Sequence, residues 1–239
     1  MKLNTDSPPY VIGFAAIVSA VFTAAIMTLH VATADAVRRN EAVLEDKAKV
    51  ELFDYGDPAR MTGEQIAAIV GRRVVELKPP LVDPNSGRQF RLYKAYDGDH
   101  RRPGARLIAY AFPTGGIGFW ARIDGLLAVD PNAARIVGVV FPSHSETPGL
   151  GGRISTDKDW REGFGKVKLP GGVRGDGRYV FVGGDTPPGE SDPRFGRHVD
   201  AITGATGTSD AVGRFINRDL HHFLQALRKA REDRPNDLR

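Results

Sequence analysis

The sequence contains no cysteine. This absence excludes disulfide bonds, thiolate-bound zinc or iron–sulfur centres and a cysteine nucleophile, so any redox role would require an organic cofactor. The charge also lacks a dominant sign, because 33 basic residues stand against 29 acidic ones and the formal net charge is only +4. Since the two signs are interspersed along the chain, we expect no nucleic-acid partner.

The remaining composition is that of a globular protein. The 239 residues are 41% hydrophobic and 26% charged, which suits one domain, or two small ones, with a packed core. No internal repeat is visible in the sequence.

Residues 10–34 contain no Asp, Glu, Lys or Arg. A helix of about 25 residues is roughly 37 Å long, which is enough to cross a bilayer. We therefore predict a transmembrane helix here, preceded by a short lead at residues 1–9. The alternative is a cleavable signal peptide, for which the small-residue triplets at 32–34 and 34–36 offer cleavage sites, although the apolar run exceeds the usual length of a signal core.

The charges that flank this span leave its orientation open. Lys2 precedes the span and Arg38, Arg39, Lys47 and Lys49 follow it, so a positive-inside count would place the following domain in the cytoplasm. Acidic residues are interleaved with these cations, which weakens the count.

Beyond the span, residues 35–57 indicate a polar helical stalk and residues 58–232 indicate one domain. A short helix is expected after Thr62, a turn at 79–87, and a long surface loop at 170–196. The segments rich in Val, Ile, Tyr and Phe predict strands at 74–77, 91–96, 107–112, 119–129 and 136–141, with one more at 178–182 inside the long loop.

Apolar residues from Val212 to Leu227 follow a 3.6-residue period and predict a final helix, capped by Thr208 or Ser209. A flexible tail is expected at 233–239. Strands in the middle and helices at both ends predict an α+β fold, in which flanking helices cover one face of an antiparallel sheet.

The segment Asp200–Ser209, DAITGATGTS, lies directly before this last helix. A turn rich in Gly and Thr that leads into a helix amino terminus offers free backbone N–H groups and a favourable dipole, which suit a phosphate group. The simpler alternative is a helix cap that binds nothing. The segment is not a Walker loop, because no GKS or GKT follows.

This segment resembles the D-x-x-[S/T]-G-A-[T/S] signature of the covalent flavin-binding domains found in the C-type subunit of the sodium-pumping NADH:quinone reductases and in the G-type subunit of Rnf complexes. In that family the last threonine of the signature is esterified by the phosphate of FMN. The resemblance implies covalent FMN on Thr206, and it marks the other signature positions as binding residues, namely Asp200, Thr203, Gly204, Ala205 and Thr208.

A second segment, His144–Ile154, contains ETPGLG and is similar to a motif of the same family. Its glycines allow a close backbone approach to a flat ring, and Thr147 offers a hydroxyl and an amide to the polar edge of a flavin. Alone, ETPGLG is also compatible with a turn that binds nothing. We predict no metal site, because His144 and Glu146 are only two ligands. The resemblance implies cofactor contacts from Glu146, Thr147, Gly149, Leu150 and Gly151.

Two weaker similarities extend over the domain. Residues 116–130 resemble a Gly-x-Gly-aromatic-Trp strand of the C-type subunits, which implies that Trp120 lies against the flavin, although a lone strand tryptophan is as often a core residue. The segment from Trp160 to Lys166 resembles a W…F-x-G-K pattern, which implies that Lys166 lies near the phosphate or the flavin; a solvated lysine is the alternative. These features favour the C-type subunit over its Rnf counterpart.

The resemblance implies a membrane-anchored electron carrier, one component of a Na⁺-translocating NADH:quinone oxidoreductase, with no catalytic acid or base of its own. It also implies other subunits of that complex as partners, a flavin transferase that moves FMN from FAD onto Thr206, and a domain on the periplasmic side of a bacterial inner membrane. The alternatives are an Rnf G-type subunit, another respiratory FMN carrier, or a noncatalytic binding module tethered to the membrane.

Overall fold

The computed structural model describes residues 7–184, 188–192 and 194–238. The chain divides into two compact units, one ending at Leu44 and the other running from Glu45 to the end of the chain. Helix α1, Pro8–Leu52, belongs to both.

In the first unit, residues 8–44 belong to helix α1. Among the described residues, this one helix is long and apolar enough to cross a membrane by length and composition, and it contains the predicted span at 10–34. The Thr28 and Thr33 hydroxyls donate to the carbonyls of Ala24 and Leu29, 2.8 Å away in each case. Both hydroxyl protons are therefore satisfied inside the helix, as an apolar environment would require.

The second unit is built on a five-stranded antiparallel sheet with the order β1-β2-β3-β4-β5. Neighbours in the sheet are neighbours in the chain, so each pair is joined by a simple hairpin connection. The strands are β1, Val74–Val82; β2, Gln89–Tyr96; β3, Leu107–Ile117; β4, Arg122–Val129; and β5, Ile136–Ser143.

Helices and a second small sheet complete this unit. A capping box at Thr62, whose hydroxyl accepts from the Gln65 N–H, starts the first of these helices. The helices are α2, Gly63–Arg73; α3, Arg153–Thr156; α4, Lys158–Gly165; and α5, Thr206–Asp233, and a parallel pair of short strands is formed by β6, Phe181–Gly183, and β7, His198–Asp200.

Both faces of the main sheet are covered. Helix α5 packs on one face, where Phe112 of β3 stacks on Phe223 with ring centroids 3.8 Å apart. On the other face, Leu52 and Phe53 pack against small strand residues such as Ala95 and Ala111. Adjacent strand residues serve opposite faces because successive side chains point to opposite sides. The expected antiparallel sheet is confirmed, but the cover is on two faces rather than one.

Several boundaries differ from those expected from the sequence. Strand β1 continues through the two prolines to Val82, where a turn was expected from residue 79. The strand expected at 178–182 is shorter and lies at Phe181–Gly183. Helix α1 continues without a break into the expected stalk, and its last turn is buried against the sheet.

The chain end also differs from the flexible tail expected at 233–239. Residues Pro235–Leu238 form a 3₁₀ helix and the Leu238 side chain is buried. The carbonyls of Asp237 and Leu238 accept hydrogen bonds from Lys94 and Tyr110 respectively. Buried apolar area and two side-chain donors therefore hold this segment on the sheet.

Candidate functional site

Three segments meet at one edge of the sheet. Strands β3 and β5 both pair antiparallel with β4, so they run in the same direction and their carboxyl ends lie at the same edge. Residues 118–121 follow β3 and residues 144–152 follow β5. Helix α5 crosses β3 closely, since a Cβ added to Gly116 would lie 2.9 Å from Phe215 Cβ. This approach brings the amino terminus of α5 to that edge.

A buried carboxylate, Glu146, connects all three segments. Its Oε1 accepts hydrogen bonds from the N–H groups of Phe119 and Trp120, each 3.0 Å away. Its Oε2 accepts from the Thr208 hydroxyl at 2.6 Å. Thr208 is itself buried in the first turn of α5. Glu146 is thus satisfied by three neutral donors, as a buried carboxylate must be satisfied by donors or cations.

Two glycines make room for this carboxylate. A Cβ at Gly151 would lie 2.5 Å from Thr208 Oγ1 and 2.8 Å from Glu146 Oε2, and a Cβ at Gly118 would collide with Glu146 Oε1. Any side chain at either position would displace the carboxylate from its donors. Gly118 and Gly151 are therefore required by close packing.

His144 and Ser155 fix the loop that carries Glu146. The Glu146 N–H donates to His144 Nδ1 at 3.2 Å, so Nε2 carries the ring proton and donates to Ser155 Oγ at 2.9 Å. Ser155 Oγ in turn donates to the Gly152 carbonyl at 3.0 Å. Both ring nitrogens are occupied by protein groups. Among the described residues, no group of three His, Asp or Glu side chains could hold a metal ion.

The amino terminus of α5 exposes the Thr206 side chain to solvent. Thr206 is the first helical residue, and Ala205 before it supplies no side-chain cap. The helix therefore begins two residues before Thr208, where a cap was expected. Ser209 Oγ instead accepts from the Ile202 N–H at 3.0 Å, which ties the preceding turn to the helix. The N–H groups of the first helical turn and the positive end of the helix dipole lie at the same terminus as the exposed Thr206 hydroxyl.

Exposed apolar side chains surround this helix end. Ile117 is 71% exposed, Phe119 64%, Trp120 67% and Leu150 46%. The cluster reaches the helix turn directly, because a Cβ at Gly207 would lie 2.6 Å from Phe119 Cδ2 and a Cβ at Gly204 would lie 3.2 Å from Leu150 Cδ2. We call these four exposed residues, Ile117, Phe119, Trp120 and Leu150, the apolar rim.

Trp120 is oriented by a hydrogen bond as well as by its backbone. Its ring Nε1 donates to Thr147 Oγ1 at 2.9 Å, and its ring meets that of Phe119 edge to face with centroids 5.2 Å apart. The sequence left open whether Trp120 was a core residue. It lies on the surface.

The structure brings together most of the residues singled out in the sequence. The residues at this edge are Trp120, Glu146, Thr147, Gly149, Leu150, Gly151, Thr203, Gly204, Ala205, Thr206 and Thr208. Asp200 is at the end of β7, where its carbonyl accepts from Trp160 Nε1 at 2.7 Å while its carboxylate is exposed.

Lys166 is not brought to this edge. On one side of Lys166, a Cβ at Gly165 would lie 3.1 Å from the Val137 carbonyl oxygen. On the other side, the Val167 carbonyl accepts a hydrogen bond from the Ile136 N–H. Lys166 therefore lies beside the start of β5. At about 3.3 Å per residue, the run from Val137 to Ser143 puts it roughly 20 Å from the loop that follows β5.

Sequence reasoning missed two residues of the site. Ile117 was given no role, and Phe119 was placed in the strand expected at 119–129. In the structure β3 ends at Ile117 and the next four residues form a tight turn, closed by the Gly118 N–H donating to the Ala121 carbonyl at 2.7 Å. The available signal was Gly118, which ends the glycine-rich run Gly115–Gly118 and begins the turn. Such a glycine-rich run favours a turn over a continuous strand.

Comparison with known proteins agrees with this geometry. The FMN-binding domain family matches residues 118–221, which include the two loops' contact residues and the start of α5. The chain is 30% identical over 129 residues to the C-type subunit of the Na(+)-translocating NADH-quinone reductase of Pseudomonas aeruginosa, and 32% identical over 135 residues to that of Yersinia pestis. These matches cover 52% and 55% of this chain and 48% of each relative. The chain thus spans about half the length of the relatives it matches.

Two solved structures share the fold. NqrC of Shewanella oneidensis superposes with a TM-score of 0.55 at 22% identity, covering 72% of this chain and 91% of that one. The corresponding Na(+)-translocating NADH-quinone reductase subunit from Parabacteroides distasonis gives a TM-score of 0.56 at 20% identity, covering 81% and 96%. Residues 118–221 thus match the FMN-binding domain family, and the chain is similar over about half its length to C-type subunits of the Na(+)-translocating NADH-quinone reductases.

Proposed function

We propose that this chain carries FMN at the sheet edge, attached by a phosphoester to Thr206, and that it acts as an electron carrier. The observation that carries the proposal is an exposed threonine hydroxyl at the amino terminus of a long helix, beside exposed aromatic and aliphatic side chains, within the segment that matches the FMN-binding domain family. Exposed apolar clusters of this kind mark binding surfaces.

The residues present fit the chemistry of FMN. The first-turn N–H groups of α5 and the helix dipole favour the negative charge of a phosphodiester on Thr206. The apolar rim offers flat and aliphatic surface to an aromatic ring system. Thr147 and the backbone of the ETPGLG loop, including Gly149, supply polar groups beside that surface. FMN, when bound, supplies the electron-transfer chemistry, and the protein supplies orientation and local charge.

Each residue of the proposed site then has one role. Thr206 is an attachment point and takes no part in turnover. Glu146 and Thr208 act beneath the site, because both are buried and bonded to each other. Trp120 and Leu150 offer apolar surface to the flavin ring system. Lys166 is left out of the proposed site because of its place beside the start of β5.

The wider setting is proposed from the relatives. Their names describe subunits of a Na(+)-translocating NADH-quinone reductase, and helix α1 supplies an apolar span long enough to cross a membrane. We propose that the chain is a single-pass component of a bacterial inner-membrane NADH:quinone reductase of this kind, with its FMN domain on the periplasmic side. Its partners would be the remaining subunits of that complex and a flavin transferase that uses FAD.

Co-production with a flavin transferase tests the attachment. The full chain, made with and without the transferase, is run on a denaturing gel and viewed under ultraviolet light before staining. A covalent flavin fluoresces in the denatured band, whereas a dissociable flavin is lost from it. A fluorescent band that requires the transferase supports the proposal, and a dark band in both samples would leave a tethered binding module as the better account.

The side of the membrane is tested separately. In spheroplasts, protease added outside should degrade residues 45–239 if this unit faces the periplasm, and should spare them if it faces the cytoplasm. A cytoplasmic marker protein reports whether the spheroplasts remained intact.

A further inference from the structure

The segment that carries Thr206 contains four hydroxyl side chains, and the fold treats them differently. Thr203 and Thr206 are exposed, whereas Thr208 is 3% exposed and Ser209 is fully buried. Ser209 Oγ accepts from the Ile202 N–H. The Thr208 proton is donated to Glu146. Within this first turn of α5, burial and hydrogen bonding therefore leave Thr206 as the helical hydroxyl that an external reagent can reach.

The same carboxylate fixes the apolar rim relative to this hydroxyl. Through Oε1 it holds the consecutive N–H groups of Phe119 and Trp120, and through Oε2 it holds the helix turn. The Glu146 carboxylate thus joins the loop after β3, the loop after β5 and the start of α5, which are distant from one another in the sequence. Hydrogen bonds to an ionised acceptor are about twice as strong as neutral ones, so this junction is stiff.

The junction has no cation in it. The partners of Glu146 are two backbone amides and one hydroxyl, and it forms no ion pair with a described residue. The geometry of the junction therefore depends on the number of acceptor lone pairs that the Glu146 carboxylate offers and on the length of the Glu146 side chain. The space around it is closed, because neither Gly118 nor Gly151 can carry a side chain. A shorter or amide-bearing side chain cannot reproduce all three bonds.

We propose that Glu146 is a positioning residue for covalent flavin attachment, which sets the Thr206 hydroxyl and the apolar rim in the mutual arrangement that the transfer requires. This inference rests on the proposed function. In the transfer, a bond forms between Thr206 Oγ and the FMN phosphorus of FAD, the phosphoanhydride P–O bond breaks, AMP leaves, and the hydroxyl proton passes to solvent. Glu146 touches none of the reacting atoms.

Three variants separate the two arms of the junction. Glu146→Ala removes both arms. Thr208→Val removes the helix arm and keeps the shape of the side chain, and Glu146→Gln retains an acceptor for the two amides but places an N–H₂ group toward Thr208. Glu64→Gln is the matched control, because Glu64 is an exposed glutamate in the first turn of α2.

The measurement is the initial rate of FMN attachment to the folded full chain, with purified transferase and FAD, at several concentrations of the chain. Misplacing reacting groups by about 1 Å lowers rates by about 100-fold. We expect Glu146→Ala to lower the rate constant at saturation about 10-fold to 100-fold. Thr208→Val and Glu146→Gln should fall between it and the wild type, and Glu64→Gln should match the wild type.

A second readout does not depend on flavin. Amide hydrogen exchange of Phe119 and Trp120 should accelerate in Glu146→Ala and stay slow in Thr208→Val, because only the first variant removes their acceptor. If Glu146→Ala does not fold, Thr208→Val and Glu146→Gln still decide the matter by their attachment rates.

The outcomes separate the two claims. A wild-type chain that accepts no flavin overturns the proposed function and this inference together. A wild-type chain that is labelled on Thr206, with folded Glu146→Ala labelled equally fast, leaves the proposed function standing and overturns the positioning role. Slow labelling of Glu146→Ala with partial rescue by Glu146→Gln supports both.

Discussion

Two buried carboxylates lie along helix α5, Glu146 beside its start and Asp219 within its middle, and they are satisfied in opposite ways. Near the helix start, Glu146 is held by two amides and a hydroxyl. In the middle of the helix, Asp219 accepts from Arg88 Nη1 and Arg218 Nε, each at 2.7 Å, and from Thr114 Oγ1 at 2.8 Å. Glu146 therefore joins two loops to the helix through neutral donors, whereas the charge of Asp219 is balanced by two guanidinium groups.

The aromatic side chains show the same contrast. Phe112 and Phe223 are fully buried beneath the middle of the helix and stack at 3.8 Å. Phe119 and Trp120, beside the helix start, are mostly exposed. Burying a large apolar side chain contributes about 1.5–3 kcal/mol to folding, and an exposed one contributes little. The middle of α5 therefore stabilises the fold, and its amino terminus presents surface that folding does not use.

The largest expected effect is on attachment at the helix start. Thr206→Ala should abolish the covalent flavin completely, because no other oxygen occupies that position. The free energy of unfolding should change by less than about 0.5 kcal/mol, since the side chain is exposed. In-gel fluorescence and urea unfolding of the same preparations measure the two effects. A fluorescent Thr206→Ala band would contradict the assignment of the acceptor.

The next effect is on stability in the middle of the helix. Asp219→Ala should lower the free energy of unfolding by about 3 kcal/mol, because Thr114 and the Gly115 N–H lose their buried acceptor and two guanidinium groups lose their counter-charge. Urea unfolding checks this value. Asp210→Ala, on an exposed position of the same helix, is the control and should unfold like the wild type.

Acid should weaken this stabilising half of α5. Burial opposes ionisation of Asp83, but donors from Ser86, Asn85 and His222 outweigh it and hold the pKa of Asp83 below its ordinary value. A carboxyl with a lowered folded-state pKa contributes stability above its unfolded pKa of about 3.9, and this contribution is lost as the pH falls through the folded value.

The unfolding free energy measured from about pH 5 downward tests this expectation. The wild type should lose stability as the pH falls below about 4, and Asp83→Asn should have a flatter profile there because the group no longer titrates. Equal slopes for the two proteins would show that Asp83 does not contribute to the acid sensitivity.

A small effect on stability is also expected at the apolar rim. Trp120→Ala should change the free energy of unfolding by less than about 1 kcal/mol, because the side chain is mostly exposed and loses one hydrogen bond. Its effect should appear instead in the absorption and fluorescence of the attached flavin. Trp120→Phe keeps an aromatic surface and should restore most of the spectrum. A large loss of stability in Trp120→Ala would assign this side chain to the core.

Much of the fold followed from local patterns. The apolar runs at 107–112 and 136–141 and the 3.6-residue period after Val212 are local signals, and a strand or helix is present at each of them. What escaped prediction depends on distant contacts. The buried Leu238 and the packing of Leu52 and Phe53 on the second face come from residues whose partners are far away in the chain.

The site divides in the same way. Glycine spacing and the signature placed Thr206, Glu146 and Trp120 together, and the structure brings them to one edge. The three bonds of Glu146 were invisible in the sequence, because they join residues as far apart as 27 and 62 positions. Lys166 shows the opposite error, since its place in a linear pattern gives no information about which end of β5 it lies beside.

The identity of the modified atom tests the central claim most directly. Trypsin cleaves after Arg197 and Arg214, so peptide 198–214 contains Thr203, Thr206, Thr208 and Ser209. In chain made with the transferase, fragmentation of this peptide should place the mass of FMN less one water on Thr206. An unmodified peptide, or the same added mass on another residue, would contradict the account.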